Sequence, residues 1–394
     1  MALPVRRVEP VSAVVKRQRD SSIELLKIIA MVAIVASHVA LSLQAPSAGG
    51  YPEVGGGYSF YVNFKLASAD PNMGILVLLN TLGKWGNLVF VICSAWFLCH
   101  TDRVKLNKVI EMVVNVFILS VLFLAIALVL GMRPDTKTVL RCFLPTTFTN
   151  NWFIICYLLL YVMHPAMNWT IDKLGKRGHA ALCIGLAFLY MVVPMFHSGH
   201  FFSTELMTMI TEYVIVAFIY RHLQGFASDK KANLCLFLVG SLGMIAIVFL
   251  LEVAGQHIGF FADKVMHFDI DGDPLLFLSA IGLFNLVRMR PFVNAKVNRV
   301  AALMLFVYLI HENIMVRNYL RPWIWNLIYQ GLGFDLLLVW LAVFSIGLFA
   351  AALVTALAYK GTFGNLVDKM LPSMERFVRL VGGRCVDWLC GLER

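Results

Sequence analysis

Ten apolar runs divide this chain of 394 residues, at about 22–44, 74–99, 108–131, 151–169, 179–196, 204–223, 233–253, 274–289, 299–320 and 335–359. Most approach the ~20 residues a helix needs to cross the hydrocarbon core of a bilayer. Charged residues make up 14% of the chain, against about 25% in a soluble domain. Both facts predict an all-α polytopic membrane protein with about ten transmembrane helices. A soluble enzyme carrying one anchor is excluded.

The net charge of +10 does not point to nucleic acid, because the basic residues follow a membrane pattern. With the N-terminus inside, 24 of the 33 Lys and Arg fall in inside segments and 7 in outside ones, with Lys27 and Lys84 within spans. Every inside loop is then basic, so ten spans with both termini cytoplasmic satisfy the positive-inside rule. The predicted division is a basic cytoplasmic segment at 1–21, a ten-span domain at 22–359 and a cytoplasmic tail at 360–394. In the tail, Leu366, Met370, Met374, Phe377, Val378 and Val381 recur at helical spacing. This predicts a helix lying on the inner membrane surface. The first span lacks a small-residue cleavage site and is read as retained.

Three stretches depart from plain spans and loops. The run at 74–99 contains Gly83, Lys84, Gly86 and Asn87, which predicts a broken or tilted helix lining a polar cavity. The Gly-, Pro- and Ser-rich loop at 45–72 is read as a lid over the outer face. The loop at 254–273 holds His257, Asp263, His267, Asp269, Asp271 and Asp273. Its Asp-x-Asp-x-Asp resembles part of a calcium loop but lacks the downstream glutamate, so a solvated acidic loop is expected. Of the eight cysteines, Cys93, Cys99, Cys156, Cys183 and Cys235 lie in apolar runs, where Cys behaves as a small hydrophobe. No metal-ligand spacing appears, and no metal is expected.

Residues 20–44 form the most informative run, because this span carries Glu24, Lys27 and His38. Ionisable groups inside a span are costly and read as functional. Lys27 and His38 are eleven residues apart, which returns to within about 20° on a helix. Glu24 shares the same face, and His38 lies roughly 16 Å further along the axis than Lys27. Glu24 and Lys27 also have the spacing of an i,i+3 pair. A second ionisable group sits in Phe306-Val-Tyr-Leu-Ile-His311-Glu312-Asn313, with Arg317 beyond it. Counted from the inner ends of their spans, His38 and His311 lie at similar depth. Glu312 supplies a carboxylate able to orient an imidazole and stabilise its protonated form. The plainer alternative has His311, Glu312 and Arg317 as interhelical glue.

These two stretches resemble the first and a late helix of the acyltransferase-3 family. There the first helix has a basic residue eleven positions before a histidine, and the late helix carries Tyr-Leu-Ile-His. The family usually has Arg where this chain has Lys27, a change that keeps the charge and loses the planar fork. Asn151-Trp152-Phe153 with Pro165 and Asn168 resembles a third family stretch. Phe90-Val-Ile-Cys-Ser94-Ala95-Trp96-Phe97-Leu98 resembles a fourth, with Ala95 in place of the usual Gly.

The resemblance implies an integral membrane enzyme of the bacterial cytoplasmic membrane. It would transfer acetyl from acetyl-CoA to a hydroxyl of a cell-surface or lipid-linked glycan, with a site opening to the extracytoplasmic side. It makes His38 the catalytic residue, as a base or as the carrier of a covalent acetyl-imidazole, with His311 and Glu312 in support. CoA is anionic, so Lys27, Glu24, Arg103, Lys105, Arg288 and Arg290 are the expected donor-side residues. Trp152, Arg133, Arg141 and Arg317 are the expected acceptor-side residues. The partners implied are an acyl-CoA, a glycan acceptor and membrane lipids, with no nucleic acid. A rival of another class is a proton-coupled transporter or flippase relaying protons through Glu24, His38 and Glu312. Such proteins often show paired interrupted helices, and here only the run at 74–99 looks interrupted.

Overall fold

The computed structural model describes residues 19–42, 73–147, 151–196, 205–261, 264, 268, 270–332 and 336–391. The 45–72 loop, and Asp263, His267 and Asp269, lie outside the described residues. Among the described residues the regular elements are helical. They are α1 (Ser21–Leu41), α2 (Met73–Leu98), α3 (Leu106–Val129), α4 (Thr136–Phe143), α5 (Trp152–Ala187), α6 (Glu205–His222) and α7 (Lys230–His257). There follow α8 (Pro274–Arg288), α9 (Ala295–Ala301), α10 (Met304–His311), α11 (Arg321–Leu332), α12 (Leu337–Tyr359) and α13 (Asn365–Gly391).

Six described helical stretches are long and apolar enough to cross a membrane, and a bent pair, Ala295–His311 with Val316–Trp325, brings the number to seven. The protein is an integral membrane protein. Two of the expected spans, 151–169 and 179–196, fall in one helical stretch, Trp152–Phe196. Gly175 breaks that stretch at φ +60°, a backbone conformation that a Cβ disfavours.

α1 is the axis of the bundle. It packs against α2, α8, α9, α10 and α12, and half of its spanning window is buried inside the protein. Asp20 starts the helix by accepting from the Ser22 amide at 2.9 Å. The Ser21 hydroxyl then fastens this end to the α8–α9 connection, donating to Asn298 Oδ1 at 2.8 Å and accepting from the Asn294 amide at 2.7 Å.

Of the two alternatives for the 74–99 run, broken or tilted, the structure removes the first, because α2 runs unbroken for 26 residues. Its glycines serve packing. A Cβ on Gly86 would meet the Ala30 carbonyl and Ile34 Cγ1, both at 2.7 Å, so α1 and α2 approach at small-residue distance. The break lies in the 299–320 run instead. α10 ends at His311, and the chain bends by 62° before Val316–Trp325. Asn313 restarts the chain by accepting from the Met315 amide at 3.0 Å. A π-helical turn, Val316–Leu320, leads into α11.

One acid of the 254–273 loop departs from the expectation of a solvated segment. Asp273 is fully buried and caps α8, accepting from the Leu275 and Leu276 amides at 2.8 and 3.0 Å. A π-helical turn, Lys360–Gly364, joins α12 to α13, whose Leu366, Met370, Phe377, Val378 and Val381 are exposed.

Candidate active site

The break after α10 stands against α1, and His38 and His311 meet there. His38 Nδ1 is 3.0 Å from His311 Nε2 and 3.1 Å from Glu312 Oε1. The ring centroids are 5.2 Å apart, with the planes inclined by 27°. The matching depths expected for the two histidines are therefore realised as direct contact. Glu312 turns to His38, the histidine on the other helix.

The hydrogen-bond partners fix the tautomers. His311 Nδ1 lies 2.8 Å from the Val307 carbonyl, which can only accept. His311 therefore carries its proton on Nδ1 and presents a lone pair at Nε2. His38 Nδ1 faces that lone pair and a carboxylate oxygen, both acceptors, so its proton sits on Nδ1. The remaining lone pair of neutral His38 is on Nε2. An imidazole so held, with a carboxylate behind its N–H, is poised to take a proton.

Two arginines hold Glu312. Arg321 donates to Oε1 at 2.7 Å, and Arg317 lies 3.6 Å from Oε2. Arg321 is 0% exposed and Glu312 6%, while the His38 and Arg317 side chains keep 17%. His38 is thus the ring of the pair that reaches accessible space. Trp325, also fully buried, donates from Nε1 to the Val39 carbonyl at 3.0 Å and ties α11 to α1 beside His38. His38, His311 and Glu312 offer ligand atoms within 4.8 Å of one another, close enough to hold a metal ion. The carboxylate charge is already met by two guanidinium groups, which argues for a proton site over a cation site.

Sequence spacing missed Arg321. Nine residues separate it from Glu312, and nine regular helical steps lead to about 180°, the opposite face. The bend and the π-helical turn change the phase and bring the two together. The signal available was a second arginine, four residues after Arg317, at the end of the 299–320 run.

Lys27 pairs with Glu24 at 3.2 Å and lines a cavity of about 250 Å³ with Met31, Ile34, Ser94, Tyr157 and Tyr308. Lys27, Met31, Ile34 and His38 follow one face of α1, so the cavity ends one turn short of His38. Tyr308 closes the gap, its ring edge-on to His311 at 5.6 Å.

The other expected donor residues lie elsewhere. Arg103 is exposed, and the Lys105 amide donates to the Tyr161 hydroxyl at 3.1 Å. Arg288 packs over Trp96 and Tyr220 and donates to the Ala227 carbonyl at 3.0 Å. Arg290 lines a separate groove on another side of α1. Of the expected acceptor residues, Arg317 joins the cluster. Trp152 reaches it through a chain of ring contacts, Trp152–Phe153, Phe153–Tyr308 and Tyr308–His311. Arg133 is exposed, and Arg141 is half-buried in the last turn of α4.

Residues 20–359 match the family model Acyl_transf_3, described as an acyltransferase domain. The chain belongs to the acyltransferase-3 family. No curated protein and no solved structure matches the chain. The acyltransferase domain so defined starts at the α1 cap and ends with α12, which leaves α13 outside it. His38, His311, Glu312, Arg317 and Arg321 all fall within it.

Proposed function

We propose that this acyltransferase moves an acetyl group from acetyl-CoA, entering from the cytoplasm, to a hydroxyl of a cell-surface or lipid-linked glycan. The observation that carries the reading is the His38 imidazole, with its Nδ1–H on Glu312 and His311 and its lone pair on Nε2. His38 Nε2 takes the proton of the acceptor hydroxyl as its oxygen bonds to the thioester carbonyl carbon. The C–S bond then breaks, and the imidazolium returns the proton to the leaving thiolate. Glu312 stabilises the imidazolium while it exists, and Arg317 and Arg321 keep Glu312 ionised and fixed. Lys27, at the cavity one to three turns nearer the start of α1, offers a point charge to the donor. Arg317 and Trp152 stand on the acceptor side.

The test is incubation of the purified protein with radiolabelled acetyl-CoA and a membrane extract containing glycan acceptors. Label should appear in glycan, and His38→Ala should abolish it while the protein stays folded in the membrane. Full transfer by His38→Ala would remove the acid–base reading and lift the proton-relay transporter in its place.

A further inference from the structure

The groove that holds Arg290 is separate from the catalytic cluster and from the Lys27 cavity. It measures about 530 Å³ and lies between α1, α7 and α8 at the end of the bundle where α1 begins. That volume is in the range of about 300–1,000 Å³ typical of ligand sites. Its walls are apolar, with Leu25 and Ile29 from α1, Leu234 from α7 and Leu286 from α8. α1 is mostly an interior helix, yet here Leu25 and Ile29 are 39% and 50% exposed. The groove thus opens the central helix to the surroundings of the bundle.

Two cations stand at one end, Lys230 at the first residue of α7 and Arg290 just after α8. Both are exposed, and neither forms an ion pair among the described residues. Asp229, next to Lys230 in sequence, and Asp20, just ahead of α1, form no ion pair with either cation among the described residues. Asp229 accepts from the Lys231 and Ala232 amides at 2.8 and 3.1 Å, and Asp20 from the Ser22 amide at 2.9 Å. Each is committed to capping its own helix. An apolar trough ending in paired cations is complementary to one kind of molecule in a bilayer, a lipid with an anionic headgroup.

We propose that this groove is a binding site for an anionic phospholipid, its acyl chain lying along Leu25, Ile29, Leu234 and Leu286 and its phosphate between Lys230 and Arg290. The site sits against α1, so an occupied groove would brace the helix that carries Lys27 and His38. The proposal does not depend on which acyl group or acceptor the protein uses.

The test is native mass spectrometry of the full-length protein, released from detergent containing equal amounts of phosphatidylglycerol and phosphatidylcholine of matched chains. The wild type should retain roughly tenfold more phosphatidylglycerol than phosphatidylcholine. The double variant Lys230→Gln, Arg290→Gln should bring the ratio close to one, and Arg290→Lys alone should keep most of it. Ile29→Trp, which fills the groove, should lower retention of both lipids. Lys369→Gln with Arg376→Gln, on α13, should leave the ratio unchanged. Equal retention by the wild type, or an unchanged ratio in the groove double variant, would overturn the proposal. So would displacement of the bound phosphatidylglycerol by acetyl-CoA, which would assign the two cations to the donor.

Discussion

Glu312 accepts from Arg321 and also faces His38 and Arg317, and the three contacts are not equivalent. His38 changes charge during a proton transfer, whereas the arginines do not. Arg321 has no exposure at all, so its removal leaves a buried carboxylate with one distant cation. Breaking such a pair from one side costs about 3–5 kcal/mol. Arg321→Met should therefore lower both the yield of folded protein and the transfer rate, as read by detergent thermal stability and label incorporation. Glu312→Gln keeps the volume and an acceptor oxygen while removing the charge. It should lower transfer far more than it lowers thermal stability, and an equal loss of both would favour the interhelical-glue role. Lys27 is a different case, since it lines the cavity below His38 and touches no part of the cluster. Lys27→Met should raise the apparent KM for acetyl-CoA with little change in that for the acceptor. Lys27→Arg, which has the residue usual in the family, should keep much of the activity. Steady-state kinetics with each substrate varied in turn separates these outcomes. Lys27 and His38 were legible in the sequence because α1 is regular and eleven residues bring a helix back to the same face. Arg321 was not, because its phase depends on a bend that spacing does not encode.

At the scale of the element, the two interruptions changed places. Gly83, Lys84, Gly86 and Asn87 made the second apolar run look broken, and the His311–Glu312 run looked whole. Glycine in a helix has two meanings, a weak point or a close approach, and sequence periodicity cannot separate them. In α2 it means close approach. A Cβ on Gly86 would lie 2.7 Å from both the Ala30 carbonyl and Ile34 Cγ1, backbone on one side and core side chain on the other. Gly86→Leu should force α1 and α2 apart, shifting His38 relative to Glu312. The expected result is a loss of thermal stability of about 1–3 kcal/mol, as for overpacked cores, with transfer falling further than stability. The break after α10 follows from Asn313, whose side chain takes the Met315 amide. Irregular backbone at membrane depth is tolerated where protein buries it, and His311, Glu312 and Asn313 are all buried. A helix opened there places two ionisable side chains where a continuous helix would have turned one of them away.

For the whole molecule, charge distribution and helix geometry bear on the same question of topology. The basic segments alternate in a way that asks for ten spans and two cytoplasmic termini. Among the described residues, length and apolarity alone pick out six helices, or seven with the bent pair. The difference lies in particular elements. α8 has only 15 residues, and α6 carries Glu205, Glu212 and Arg221 within 18. Both pack inside the bundle, where a short or charged helix is shielded by its neighbours. Gly175 divides the long Trp152–Phe196 stretch, with Lys173, Lys176 and Arg177 gathered at the break. Ten crossings are reached only if its two arms, α6, α8 and the bent pair are each counted alongside α1, α2, α3, α7 and α12. On that count Gly175 turns the chain at the cytoplasmic face, and the start of α8 faces outward. Asp271 lies just before α8, so Asp271→Cys should react with a membrane-impermeant maleimide added to intact cells. Lys176→Cys should react only after the cells are opened. The background of natural cysteines is removed first, since Cys235 is exposed. If the 271 position labels only in opened cells, or the 176 position labels in intact ones, the ten-span arrangement is wrong. The donor would then have to reach His38 from the opposite side of the bundle.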